Sequence, residues 1–378
     1  MSESATFPDD DWSSLVDRLA GDLDLDALAK STRALVRRRG VPDARALLRL
    51  ALARGPGGFS LRETAAWAHL MGVAELTDPS LNDRLHQSCD FLAAIMAAQL
   101  RAKIPGACFR WPGRILRLAD GSCVSKPGSK GTDWRIHAVY DLGAGGFSSF
   151  EVTDRHGGEA LDRGAAKPGE IRVADRGYSA AKALRRFLES AGAGQRTDQG
   201  TGQAADYVVR LRWSSLRLSA ADGTKFDVSA HLRAMPAERS TDDIALSIEG
   251  AGAPMPTRVL IVRKPPGAAL AERRRLAREA GGGGKKLDPR SLVAAEFIVL
   301  ATSLDAQTYP GEEVLAMYRL RWQIELAFKR LKSLLNIDRL PSRSERGARS
   351  WIFAHLILAI AADDASQDFL ESSPSALA

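Results

Sequence analysis

At 378 residues, 45% of them hydrophobic and 26% charged, the chain is long enough for two or three domains with substantial cores, and wholesale disorder is excluded. Its three cysteines, Cys89, Cys108 and Cys123, form no CxxC pair, which excludes a disulfide framework and a cysteine-based zinc site and fits a reducing cytosol. The net charge of +7 permits a polyanionic partner, and most of that excess lies between Arg263 and Arg290, where nine Lys and Arg face three acids.

From about Trp12 to Arg101 the chain reads as helical. Leu15, Leu19, Leu23, Leu25 and Leu28 lead into a basic helix predicted at 34–39, and Leu47, Leu48, Leu50 and Leu52 continue the pattern. Ser60 caps a helix starting at Leu61, with Glu63 at its third position, and Gly72 ends it. A second short helix follows at 80–86. The pair fits a helix-turn-helix, with Arg84 and His86 toward a groove or phosphates, and equally a plain helical bundle. The acidic N-terminus shows no signal-peptide pattern, and the longest apolar stretch, 351–362, is too short to span a bilayer.

At Phe109 the hydrophobic period changes. Residues 114–120 read as a strand ending in Asp120, followed by a turn at Gly121-Ser122. Strands at 135–142 and 146–153 follow, with Gly145-Gly146 as a hairpin signal between them. A fourth strand at 170–175 again ends in an acid, Asp175, and Arg176-Gly-Tyr-Ser179 turns the chain into a helix at 180–190. After Gly192 comes a polar linker, then short strands around 207–213, 216–218, 226–228, 244–248 and 258–263 that read as a β-rich insertion. The basic segment 269–280 and Gly281 to Gly284 close it, as a solvated loop or a polyanion contact. Residues 297–302 return as a core strand, and Pro310 starts the helix that carries Glu325.

That helix carries the most informative stretch of the chain. At about 100° per residue, Tyr318, Arg321, Glu325 and Lys332 fall within a stripe of roughly 60° on one continuous helix. Leu320, Ile324, Ala327, Phe328 and Leu331 cluster on an adjacent face. One face packs, while its neighbour presents a carboxylate among an aromatic hydroxyl and two cations. Such a face suits a metal ion held by Glu325 and phosphates gripped by Arg321 and Lys332, and it also describes an ordinary charged surface helix.

The spacing Tyr-x2-Arg-x3-Glu-x6-Lys resembles the signature of DDE transposases of the insertion-sequence-four type. Asp175-Arg-Gly-Tyr178 resembles their second-acid motif, and Asp120-Gly-Ser122 their first; Gly157-Gly158-Glu159 resembles a further short feature with no assigned chemistry. The resemblance covers roughly 59–362. It implies an α/β fold: a ribonuclease-H-like catalytic core interrupted by a β-rich insertion, with an N-terminal helical domain. The expected division is 1–105 for the helical, DNA-end-binding region, 106–192 and 296–364 for the two parts of the core, 193–295 for the insertion and 365–378 for a tail.

The resemblance further implies that Asp120, Asp175 and Glu325 are catalytic and hold two Mg2+ ions, with Mn2+ as a substitute. Carboxylates from rigid elements supply the hard oxygen ligands that such ions need. Tyr318, Arg321, Lys332, Arg176 and Tyr178 are then expected to bind DNA, and Trp213 is either a base-holding residue or a core residue. The implied activity is excision and strand transfer of an insertion sequence, cut-and-paste through a hairpin. Its partners are the terminal inverted repeats, the target DNA and a second copy in a synaptic homodimer, in a prokaryotic cytoplasm at the nucleoid. Two other readings stay open: a metal-dependent nuclease, and a non-catalytic DNA-binding relic. The second draws on the short Ser/Ala tail, where many relatives continue with further helices. The scattered histidines show no metal-ligand spacing, and Gly281-Gly-Gly-Gly284-Lys-Lys lacks P-loop spacing.

Overall fold

The computed structural model describes residues 9–102, 111–129, 131–190, 204–282, 286–335, 340–342 and 344–371. The polar linker expected after Gly192 and the last residues of the tail lie outside them. The chain opens with six helices: α1 (Asp9–Ala20), α2 (Leu25–Ser31), α3 (Ala44–Arg54), α4 (Leu61–Leu70), α5 (Asp78–Gln87) and α6 (Cys89–Ala102). The Ser60 capping box forms as read: Glu63 N donates to Ser60 Oγ and Ser60 N donates to Glu63 Oε2. Residues 34–39 are not the expected helix. Helix α2 stops at Ser31, Arg33 takes a left-handed φ of 59°, and the segment runs on as turns. Arg84, expected to face a groove, instead donates to the Arg37 and Arg39 carbonyls and holds that segment in place.

The rest is built on one mixed sheet. Strands β1 (Ile115–Val124), β2 (Trp134–Asp141) and β3 (Gly146–Asp154) form an antiparallel meander. Strand β4 (Glu170–Ala174) lies parallel to β1, and β5 (Asp206–Arg210) parallel to β4. The 3-10 turn Arg176–Tyr178 and helix α7 (Ala181–Ser190) lead away from β4. Strands β6 (Arg217–Ser219), β7 (Lys225–Phe226), β8 (Thr241–Glu249), β9 (Met255–Arg263) and β10 (Phe297–Thr302) extend the sheet, giving the order β3-β2-β1-β4-β5-β10-β9-β8-β6-β7. Between them lie helices α8 (Val228–Ala234), α9 (Pro266–Gly282) and α10 (Pro289–Ala294). After β10 come α11 (Gly311–Arg319), α12 (Trp322–Leu335) and α13 (Glu345–Glu371).

Period-two alternation explains why both faces are covered. Leu116, Leu118, Ile171, Val173, Val208, Leu260 and Leu300 join one core with the N-terminal helices and α11 to α13. Their neighbours Ala119, Ala174, Tyr207, Val209, Val259, Ile261 and Ala301 join a second core with α7 and α8. The apolar run Tyr207 to Val209 of β5 follows from burial on both sides, while β4, also buried throughout, pairs its two charges with buried partners.

Three further elements differ from the sequence-based expectation. Gly121-Ser122 is not a turn, because β1 continues to Val124 in register with β2. The basic segment is not a loop but helix α9. The signature helix is two helices: the chain breaks at Leu320-Arg321, where Arg321 N reaches Tyr318 O and Ile324 N reaches Arg321 O in tighter 3-10 fashion.

Candidate active site

The parallel pairing of β1 with β4 ends at Ala119 opposite Ala174. Asp120 and Asp175 are the next residues on each strand, so they leave neighbouring strands about 4.8 Å apart at the same edge. This is where ligands collect in α/β sheets. The opposite ends of the parallel strands carry buried structural charge instead. There Arg114 pairs with Asp206 at 2.6 Å, and Glu170 accepts from Arg172 Nε at 2.6 Å and Arg117 Nη1 at 3.3 Å.

Asp120 accepts the Gly121 N–H at 2.8 Å. Burial pushes its carboxyl up to about 6; the Gly121 bond and Arg321 oppose the shift, and the charges of Glu159 and Glu325 reinforce it. Asp175 Oδ1 accepts from the Tyr318 hydroxyl at 3.2 Å and lies 3.9 Å from Arg210 Nη1. Glu325 sits in the first turn of α12, which packs against β1, and its Oε1 accepts from Arg321 Nη1 at 2.6 Å. The Arg321 guanidinium lies 5.7 Å from the Tyr318 ring centroid. The break between α11 and α12 thus preserves the cluster that a single helix was expected to make. Tyr318 turns inward to Asp175, and Arg321 still meets Glu325.

The other expected residues are spread around this centre. Lys332 lies seven residues beyond Glu325, about 10 Å along α12. Arg176 points to Glu272 of α9 at 3.8 Å. Tyr178 is only 2% exposed, so its side chain belongs to the interior. Trp213 lies under the Arg290 guanidinium, 4.5 Å from ring centroid to Cζ. A cleft of about 810 Å3 opens beside Asp175, lined by Glu159, Arg176, Arg210, Trp213, Glu272 and Arg275 among others. Within it, the Arg275 hydrogen bond draws Glu272 down to about 2 despite partial burial, with Lys264 and Arg176 adding to the pull.

Arg210 and Glu272 were missed in the sequence, and Glu159 stood there only as part of a short motif with no assigned chemistry. Arg210 had a usable signal: Tyr207-Val-Val209 is an uninterrupted apolar run of the kind found in parallel strands, and Arg210 stands at its end. Glu272 had none strong enough to separate it from an ordinary surface acid.

The description "Transposase DDE domain" matches residues 111–361, which hold the sheet, Asp120, Asp175 and Glu325. The chain belongs to the DDE transposases. The transposase for insertion sequence element IS421 of Escherichia coli is 40% identical over 376 residues, covering 97% of each chain. The InsL protein for element IS186A of Escherichia coli K12 is 40% identical over 375 residues with the same coverage. The transposase for element IS231C of Bacillus thuringiensis subsp. berliner is 23% identical over 292 residues, 70% of this chain and 56% of its own. This DDE transposase is therefore an enzyme acting on DNA, of an insertion-sequence type.

DDE transposases use divalent metal. The donor chemistry here fits: Asp120 is desolvated, and the hard carboxylates of Glu159 and Glu325 add like charge to it that a cation would relieve. Among the described residues no three such side chains are yet gathered at metal-holding distance. Glu325 is turned to Arg321, and Asp175 is shared by Tyr318 and Arg210. No helix among the described residues is long and apolar enough to cross a membrane.

Proposed function

We propose that Asp120, Asp175 and Glu325 form one phosphoryl-transfer centre that excises an insertion sequence and joins it to target DNA. The observation that carries this reading is the register of β1 and β4, which sets Asp120 and Asp175 side by side, with Glu325 of α12 close enough to raise the Asp120 carboxyl. The order β3-β2-β1-β4-β5, with β2 antiparallel and the rest of the core parallel to β1, supports a ribonuclease-H-like core. Strands β6 to β9 with α8 to α10 are then the insertion, and α1 to α6 the region that binds element ends.

In this reading the three carboxylates hold two Mg2+ ions, or Mn2+ in their place, with Glu325 released from Arg321 when a phosphate takes the guanidinium. The bound ions lower the pKa of a nucleophile and stabilise the leaving oxygen. A water oxygen attacks the phosphorus at the element end, the P–O3′ bond breaks, and the 3′-oxygen leaves with a proton as a hydroxyl. That 3′-hydroxyl attacks a phosphorus of the opposite strand, whose P–O3′ bond to the flanking DNA breaks and releases a flanking 3′-hydroxyl, closing a hairpin. A second hydrolysis reopens the hairpin at the new P–O3′ bond, and the regenerated 3′-hydroxyl attacks a target phosphorus, whose own P–O3′ bond breaks to leave a target 3′-hydroxyl. Arg321 and Lys332 hold phosphates beside the scissile bond, and Arg176 and Arg210 line the neighbouring cleft. Tyr318 orients Asp175. Two copies pair two inverted repeats at the nucleoid of a prokaryotic cell.

The test is incubation of the purified chain with Mg2+, a plasmid carrying the element's ends and a target plasmid. Joined products are expected. Cleavage without joining supports a nuclease, and binding without cleavage supports a relic.

A further inference from the structure

Each aspartate motif contains a glycine, Gly121 directly after Asp120 and Gly177 two residues after Asp175. Neither has a left-handed backbone, so conformation does not call for glycine at either place. Glu159 supplies a steric reason. A Cβ on Gly177 would lie 1.7 Å from Glu159 Oε2, and a Cβ on Gly121 would lie 3.4 Å from Glu159 Oε1 and 3.5 Å from the Tyr178 hydroxyl. The Glu159 carboxylate therefore lies against both Gly121, next to Asp120 within β1, and Gly177, in the turn that follows Asp175.

Its position is built. Arg135 Nη1 donates to the Gly157 carbonyl at 3.2 Å, Arg163 Nε donates to the Gly158 carbonyl at 2.8 Å, and Gly157 packs directly on Thr153. These contacts strap the residues preceding Glu159 onto β2 and β3. The second observation is the Tyr178 hydroxyl, which is buried, lacks a hydrogen-bond partner and lies beside Gly121 within the field of Asp120 and Glu159. A buried hydroxyl with no partner marks a place where something polar is missing.

We propose that Glu159 is a fourth carboxylate of the divalent-cation site, seated between Asp120 and Asp175 by the two motif glycines and completed by the Tyr178 hydroxyl when the cation and its water are bound. This rests on the reading that Asp120 and Asp175 hold the cation. It gives physical content to Gly157-Gly158-Glu159, which the function above leaves without a role.

The test is Mn2+ binding to the full chain, read from the electron paramagnetic resonance of free Mn2+, for the wild type, Glu159→Gln, Gly177→Ala and Asp120→Asn. Glu159→Gln is expected to weaken Mn2+ binding by about tenfold or more. Gly177→Ala keeps the carboxylate but pushes it aside, and a similar loss is expected, with no further loss in the double variant. Without metal, the melting temperature of Glu159→Gln is expected to rise, because like charge is removed from beside Asp120. Wild-type Mn2+ affinity in Glu159→Gln overturns the proposal, and so does weaker binding accompanied by a lower melting temperature, which is the mark of a merely structural role. Wild-type affinity in Asp120→Asn instead overturns the reading of the site on which the proposal rests.

Discussion

The Tyr318 hydroxyl donates to Oδ1 of Asp175 at 3.2 Å, joining α11 to the end of β4 across 143 positions of sequence. Tyr318 is 8% exposed and its ring packs in the core beneath the sheet, so the bond fixes the carboxylate from below. Burial first, and then the Asp175 charge, hold the phenol proton in place by raising its pKa. A hydrogen bond to a charged group contributes about 1.5–3 kcal/mol. Tyr318→Phe keeps the ring and loses only this bond, so strand cleavage is expected to fall about tenfold in single-turnover assays while the melting temperature falls by only a few degrees. Unchanged cleavage contradicts the positioning role.

The Arg321–Glu325 pair separates stability from catalysis. Its side chains are 18% and 47% exposed, and solvent screening limits such a pair to less than about 1 kcal/mol. Glu325→Gln is therefore expected to leave the melting temperature within a few degrees of wild type. Cleavage is expected to fall at least about 10³-fold if Glu325 holds cations as proposed, because the substitution removes the charge from that ligand. Parallel melting and cleavage measurements decide it.

The residues that were legible in the sequence are those fixed by short-range pattern. Asp175 follows the short strand Glu170–Ala174 and precedes Arg-Gly-Tyr, and Glu325 lies four residues after Arg321, so local spacing alone singled out both. The Ser60 capping box was visible for the same reason. What spacing did not carry is who lies beside whom. Strand β5 was read as part of an insertion because its place next to β4 is a long-range pairing. The break at Leu320-Arg321 was hidden because both halves have helical composition, and it shows only in the tighter backbone hydrogen bonds there. Glu159 was present in the sequence as a motif, but its chemistry depends on two glycines in other segments.

The charge at the far end of the sheet is structural. Glu170 is fully buried and accepts from Arg117, Arg172 and the Lys167 N–H. Removing one partner of a buried ion pair leaves the other uncompensated, at a cost of about 3–5 kcal/mol. Glu170→Gln is expected to lower the urea midpoint markedly. A midpoint equal to wild type rules out that role.

His137 adds a pH dependence. Burial drives its pKa down to about 4, with the facing Arg163 and Arg135 charges helping and Glu151 opposing. Its Nε2 meets Thr153 Oγ1 at 3.0 Å, while Nδ1 has no partner. The unfolded chain takes up this proton near 6.5 and the folded chain only near 4, so stability is lost as pH falls through that window. His137→Gln is expected to flatten the fall in stability between pH 7 and pH 5 by about 2 kcal/mol relative to wild type. Equal slopes in urea titrations at the two pH values contradict it.

Whether three acids from β1, β4 and α12 hold cations at one place is tested most directly by replacing Mg2+ with Fe2+ and adding ascorbate, so that radicals made at the bound iron cut the nearby backbone. Cuts are expected close to Asp120, Asp175 and Glu325 in the same preparation, and excess Mg2+ is expected to suppress them together. Cuts at only one of these segments, or clustered elsewhere in the chain, contradict a shared centre.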